Sequence, residues 1–425
     1  MLNNIINFVK NFNQKFINFF IVNPTSGKTY SYLDGIRAIA VIMVITLHSW
    51  GLSGKANILF HLPVTNHIIN LTPMISSGGF GVDLFFILSG FLLSQYWLKA
   101  DYLGQSRPSL LKYFKRRFFR IAPAYYCVLF LVLIFMMPLY INPVMVFSQE
   151  GMYNLGLHLI FAQYFFWLSA NSFSVLGVLW TLTIEMTFYI VLPYIVILFL
   201  RNRWLKTMPI TMLITLIWLW LAKYSLQPLI NFSFITAIKW SPDYNQSVPL
   251  IRHFLANQFP GQLFTFGLGI VLANLVIRRK LGINRTRLFN VLTGKLAGRT
   301  YFCLGCFIII HSMNSPILIF HYYLSKIYIG IGFTLLIAGV EWGDDWVRAL
   351  FSFTYLRLIG LVGYSMYLLH MPLIHIILKY PSIIALDSPQ RFLFVFPIAF
   401  TLVLVISMVF FLFIEKPFML IKAKQ

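Results

Sequence analysis

The chain has 425 residues, 59% of them hydrophobic and only 10% charged, with a mean hydropathy of +0.79, which excludes an ordinary soluble enzyme. A net charge of +22 arises from 33 Lys and Arg against 11 Asp and Glu. That excess lies in short loops between apolar stretches, where it sets membrane orientation, so nucleic acid is excluded as a partner. Cys127, Cys303 and Cys306 all fall in apolar stretches and imply no disulfide framework. Cys303 and Cys306 have redox-motif spacing but lack the soluble strand–helix setting that gives it meaning, and no metal site is expected.

Residues 1–22 do not form a cleavable signal, because Lys10, Asn11, Asn13, Gln14 and Lys15 interrupt the apolar run and no small-residue cleavage site follows. Leu2, Ile5, Ile6, Val9, Phe12, Phe16, Phe19 and Phe20 recur at helical spacing, which predicts an amphipathic helix lying on membrane lipid. Apolar stretches of spanning length follow at about 35–52, 79–98, 121–140, 177–200, 207–222, 261–277, 300–322, 327–341, 357–378 and 392–414. The expected fold is therefore an all-α polytopic membrane protein, a bundle of about ten transmembrane helices with an amphipathic N-terminal helix. Gly360, Gly363 and Pro193 are tolerable inside a packed bundle, whereas Asn314-Ser315-Pro316 threatens to divide the stretch at 300–322, and 327–341 is short. The boundaries expected are an interfacial segment at 1–29, a membrane domain at 30–420 and a short cytoplasmic tail at 421–425. No internal repeat or soluble domain is visible.

Of the 33 Lys and Arg residues, 25 fall on one set of loops and 7 on the other, with Arg37 inside the first span, which predicts that both termini are cytoplasmic. The count closes only if the aromatic segment at about 152–168 is interfacial or re-entrant. Counting it as a span would put Arg201, Arg203 and Lys206 outside.

Ionisable groups within apolar spans are costly and usually functional. Arg37 and His48 lie eleven residues apart in the first span, about three helical turns, so they share one face roughly 16 Å apart along the axis. The plain alternative pairs Arg37 with Asp34 and bonds His48 across helices. Glu185, within Trp180-Thr181-Leu182-Thr183-Ile184-Glu185, is expected at the depth of His48, where a His48–Glu185 pair would orient the imidazole as a base. The run Gly78-Gly79-Phe80-Gly81-Val82-Asp83 opens the second span, and amides near Gly79 and Gly81 could face an oxyanion; close helix packing is the alternative, and is preferred for Gly90. Arg117 and Arg120, one turn apart in a basic cluster, suit forked contacts with phosphate oxygens or anionic headgroups. Taken singly, His370 beside Pro372 reads as a structural kink, and Glu415-Lys416-Pro417 as an end cap.

Together these motifs resemble acyltransferase family 3, bacterial integral-membrane enzymes that O-acylate envelope polysaccharides and related glycans. The likeness runs from about Tyr30 to Phe418 in family order. Asp34-Gly35-Ile36-Arg37 with His48 resembles the family's Arg–ten residues–His signature, and Phe80 to Phe91 its glycine-rich block. Arg117-Phe118-Phe119-Arg120 is similar to its RxxR and Trp180 to Glu185 to its Trp–Leu–Glu element. Tyr364 to Pro372 resembles its Tyr–Ser…His–x–Pro run, and Glu415-Lys416-Pro417 its terminal motif.

The resemblance implies a protein of the bacterial inner (cytoplasmic) membrane that moves an acetyl group from cytoplasmic acetyl-CoA to a hydroxyl of an envelope glycan such as lipopolysaccharide O-antigen. Some relatives carry an esterase-like domain after the bundle, and here the chain stops at Gln425. Transfer is then expected within the bundle, or through a separate periplasmic acetyl-accepting protein. The expected roles are Arg37, Arg117 and Arg120 as counter-charges for acetyl-CoA, His48 oriented by Glu185 as base or acyl acceptor, and Gly79, Gly81 or Trp180 as oxyanion donors. Ser89 ranks below His48 as nucleophile because no base is evident beside it. Two rivals are a secondary transporter or flippase, which would usually show repeated halves with broken helices, and a non-catalytic assembly scaffold.

Overall fold

The computed structural model describes residues 16–21, 30–61, 68–136, 147–166, 174–224, 251–283, 286–315 and 322–421. Among these, nine helices are long and apolar enough to cross a bilayer, and one bent pair makes a tenth passage. They are α1 (Ser31–Leu52), α2 (Thr72–Tyr102), α3 (Leu110–Met136) and, after a short α4 (Gln149–Leu159), α5 (Val175–Phe199). Next come α6 (Trp204–Tyr224), α7 (Ile251–Leu281), α8 (Lys295–Asn314) and α9 (Tyr322–Trp342). The bent pair is α10 (Thr354–Leu361) and α11 (Gly363–Ile377), and α12 (Ser388–Leu420) closes the bundle. The chain is a multi-pass membrane protein of the all-helical kind its composition predicts. The strands described, Leu59–His61 and Ile68–Asn70, pair antiparallel with Phe60 opposite Ile69 beyond the end of α1.

Local chemistry fixes several ends. Ser109 caps α3 by accepting from the Lys112 amide, and Asp387 caps α12 by accepting from the Gln390 amide at 3.0 Å. α7 finishes on Arg278, Arg279 and Lys280, with Gly282 in the left-handed conformation at φ 71°. Lateral packing depends on small residues. Gly90 of α2 lies against the Phe266 carbonyl of α7, and Gly269 of α7 against the Ile87 carbonyl of α2, so a Cβ at either would force the helices apart.

Most expected spans appear with longer ends, because the helices continue past the apolar core. The stretch expected at 357–378 is divided at Val362, where α10 and α11 meet at 71°. The break expected at Asn314-Ser315-Pro316 coincides with the end of α8, and 316–321 lie outside the described residues. Of the segment at 152–168, residues 152–166 are described; they hold most of α4, 11 residues long, and a 3-10 turn at Gln163–Phe165, each too short to cross. Most of the amphipathic segment expected at 1–29, and 422–425 of the tail, lie outside the described residues; 16–20 are helical, and Phe20 packs on Phe411 with ring centroids 6.1 Å apart.

Candidate active site

A cavity of about 160 Å³ opens between α1, α2, α3, α5, α10 and α11. Arg37, Arg117, Arg120, Ser89 and Glu185 all line it, with Tyr189, Tyr364 and Tyr367 on its walls. Five of the residues singled out from sequence therefore meet in one polar space. The helices bring them there by spacing: Arg117 and Arg120 lie one turn apart on α3, and Glu185 and Tyr189 one turn apart on α5.

The three arginines are held differently. Arg37 Nη1 lies 2.8 Å from Asp34 Oδ1, and Asp34 also faces Arg357 Nε at 3.8 Å. Arg120 Nη1 lies 3.7 Å from Oε2 of the buried Glu415, which also accepts from Ser365. Glu415 reaches this point at the end of a π-helical turn, Phe411–Glu415, that shifts the register of α12. Arg117 has no ion pair among the described residues, and its buried Nε has no hydrogen-bond partner. It is a guanidinium with capacity left for an anion.

Glu185 Oε1 accepts from Ser89 Oγ at 3.1 Å and from the Tyr189 hydroxyl at 2.5 Å. His48 has other partners. Its Nδ1 lies 2.9 Å from the Val44 carbonyl and 3.2 Å from His370 Nε2, and the two rings are 5.0 Å apart. The expected His48–Glu185 hydrogen bond is thus absent among the described residues. The reason is the placement of α11 between α1 and α5. On one side its Tyr367 hydroxyl bonds Thr181 and the Val178 carbonyl at 2.8 and 2.7 Å; on the other His370 meets His48. His48 is half-buried and does not line the cavity, but Tyr367 does, with its ring 5.6 Å from that of His370.

The remaining expected residues sit outside the cavity lining. Gly81 packs α2 onto α1, since a Cβ there would run into the Ala40 carbonyl, and Gly79 lies beside Leu47 at ordinary contact. The Trp180 ring tilts over Tyr164 with centroids 5.0 Å apart and meets Phe86 edge-on. Packing is what these contacts account for. Sequence reading missed Tyr189 as a partner of Glu185, although a four-residue helical spacing would have suggested it. It also missed His370 and Glu415 as site residues, having treated them as a kink and a cap. Among the described residues, no group of three or more His, Cys, Asp or Glu could hold a metal ion.

The helical membrane bundle thus holds a polar cavity lined by three guanidiniums, with the His48–His370 pair beyond its lining. Residues 30–412 match the model of a family described as an acyltransferase domain, and the chain belongs to that family, acyltransferase family 3. It is 25% identical over 402 residues to the peptidoglycan O-acetyltransferase OatA of Listeria monocytogenes, covering 92% of this chain and 56% of that protein. It is 31% identical over 183 residues to the O-acetyltransferase OatA of Staphylococcus aureus, covering 40% of this chain and 25% of that one. The putative peptidoglycan O-acetyltransferase YrhL of Bacillus subtilis is 29% identical over 177 residues, 38% of this chain and 23% of its own. The chain therefore spans about half the length of the first of these relatives, and its matches to the other two span about a quarter of their lengths. No solved structure matches.

Proposed function

We propose that this protein is a membrane O-acetyltransferase that takes an acetyl group from acetyl-CoA at the cytoplasmic face and delivers it to a hydroxyl of an envelope glycan. The observation that carries this reading is the convergence of Arg37, Arg117 and Arg120 on one cavity with Ser89 and Glu185, Arg117 being unpaired. A cavity of about 160 Å³ suits a slender thioester arm rather than a nucleotide, whose phosphates would stay at the mouth beside the arginines. The excess of Lys and Arg on one set of loops supports a mouth that opens to the cytoplasm of a bacterial inner membrane. The names of the relatives direct the acceptor towards peptidoglycan ahead of the lipopolysaccharide O-antigen expected from sequence.

In this reading the thioester passes Tyr367 towards His48. The Nε2 of His48 takes the proton of the glycan hydroxyl while that oxygen bonds to the thioester carbonyl carbon. The carbon–sulfur bond then breaks, and the leaving CoA thiolate takes up the proton that His48 Nε2 received, which restores the neutral imidazole. An acetyl-imidazole formed first on His48 is the two-step version of the same exchange.

A second reading rests on one contact, the Ser89–Glu185 hydrogen bond at 3.1 Å inside the cavity itself. Ser89 Oγ would attack the thioester and pass its proton to Glu185, and the seryl ester would then acylate the glycan. The test is release of free CoA thiol by the protein in proteoliposomes supplied with acetyl-CoA and peptidoglycan fragments. Acetyl transfer lost in His48→Ala and retained in Ser89→Ala supports the first reading; the opposite pattern supports the second. Absence of thiol release from the wild type would return the chain to the transporter class.

A further inference from the structure

We propose that His370 is a positioning residue that holds the proton of His48 on Nδ1 and so leaves Nε2 as the basic atom. The inference rests on His48 being the base of the proposed reaction and assigns the group that prepares it.

The argument is one of donors and acceptors. His370 Nδ1 lies 2.7 Å from the Tyr367 carbonyl oxygen, and a carbonyl can only accept, so that nitrogen carries a proton. A neutral His370 then has a lone pair on Nε2, the atom 3.2 Å from His48 Nδ1. His48 Nδ1 also faces a carbonyl, that of Val44, at 2.9 Å. Its proton is therefore shared between two acceptors, the Val44 oxygen and His370 Nε2. Reversing the bond would put a second proton on His370 and set the bare Nδ1 lone pair of His48 against the Val44 carbonyl oxygen. The tautomer of one nitrogen is fixed by the bond the other makes.

Val44 alone holds His48 weakly, because an oxygen four residues back is also the acceptor of the helix ladder. His370 supplies an acceptor from another helix and is itself fully buried, so water does not compete for the bond. His375, one turn further on, bonds the Met371 carbonyl through its own Nδ1 at 2.8 Å. Among the described residues, His48 Nε2 has no hydrogen-bond partner. When Nε2 takes a proton, the Nδ1–H becomes a stronger donor and the His370 lone pair stabilises the imidazolium. A carboxylate does this in hydrolase triads; here a neutral imidazole would do it, which suits a site lacking a compensating cation.

The test uses His370→Phe, which keeps a ring but removes the acceptor, and His370→Gln, whose side-chain oxygen reaches the place of Nε2. In reconstituted vesicles His370→Phe should lower kcat by about 10–100-fold with little change in the KM for acetyl-CoA, and His370→Gln should recover most of that loss. Equal losses in the two variants, or none in His370→Phe, would overturn the proposal. The nitrogen-15 shifts of ring-labelled histidines give a readout that does not depend on activity. In the wild type, Nδ1 should be protonated and Nε2 bare on both His48 and His370, and a protonated Nε2 on His48 would sink the idea. Should His48→Ala retain transfer while the spectrum is as expected, the proposed reaction fails but the tautomer assignment survives.

Discussion

Inside the cavity, three guanidiniums and a carboxylate share one polar space with serine and tyrosine hydroxyls; one helical turn beyond Tyr367 on α11, His370 meets His48 with no charged side chain bonded to either ring among the described residues. In the proposed reaction the first region holds the anionic end of the acyl donor. In the second, proton positions are set by carbonyls and a lone pair. Tyr367 belongs to both, lining the cavity and abutting His370. The contrast teaches that polar residues in apolar spans need not form one constellation. Here α11 stands between two of them, and in the proposed reaction it divides recognition from proton transfer.

The largest effect expected tests that division. His48→Ala should lower kcat by roughly 10²–10⁴-fold, the range for loss of a general base, while acetyl-CoA binding measured by calorimetry stays near wild type. A loss of binding as large as the loss of rate would merge the two regions. Next in size, Arg117→Gln removes the guanidinium that has no ion pair among the described residues. It should weaken acetyl-CoA binding by about 10–100-fold, equivalent to a charged hydrogen bond of about 1.5–3 kcal/mol, and do so more strongly at low salt. Arg37→Gln should chiefly lower yield and stability, since it leaves Asp34 with Arg357 as its remaining cation.

A fourth prediction contrasts the two halves of one ion pair. Glu415 is 2% exposed, whereas the Arg120 side chain is 28% exposed. Arg120→Leu strands a buried carboxylate and should cost about 1–3 kcal/mol in detergent-solubilised unfolding; Glu415→Gln lets the arginine turn to solvent and should cost less. Equal costs would mean that the 3.7 Å pair contributes nothing beyond packing.

The regions also differ in how much of them could be read from sequence. The spans were legible because twenty apolar residues in a row have few alternatives, and α1, α2 and α12 lie where hydropathy puts them. Arg37, Arg117, Arg120, Ser89 and Glu185 were legible as candidates because intramembrane polarity is costly enough to need a reason. Their pairing was not. His48 and His370 are 322 residues apart in sequence, and depth estimated from helix ends cannot say which helix stands between two others. The Val362 break escaped for a similar reason, since Leu361, Val362 and Gly363 read as a continuous apolar run, and only packing decides that the helix turns there.

The smallest effect lies outside both regions, in the loop after α9. Asp344 accepts from Arg299 Nε at 2.7 Å and Nη2 at 3.0 Å, and faces Lys295 Nζ at 3.1 Å. These donors hold its carboxyl below the ordinary carboxylate value of 3.8, at about 2. A depressed folded-state pKa contributes stability that is complete above the unfolded value and lost as pH falls through the folded one. The difference in thermal midpoint between wild type and Asp344→Asn should therefore be level from pH 8 to about pH 5 and shrink below about pH 4. Because the Arg299 and Lys295 side chains are solvent-exposed, 1 M salt should also reduce it, whereas the same salt should leave the buried Glu415 contrast largely intact. A salt response of equal size at both sites would mean that the Glu415 pocket is open to ions, and the arginine cavity would then have to be treated as a surface rather than an interior.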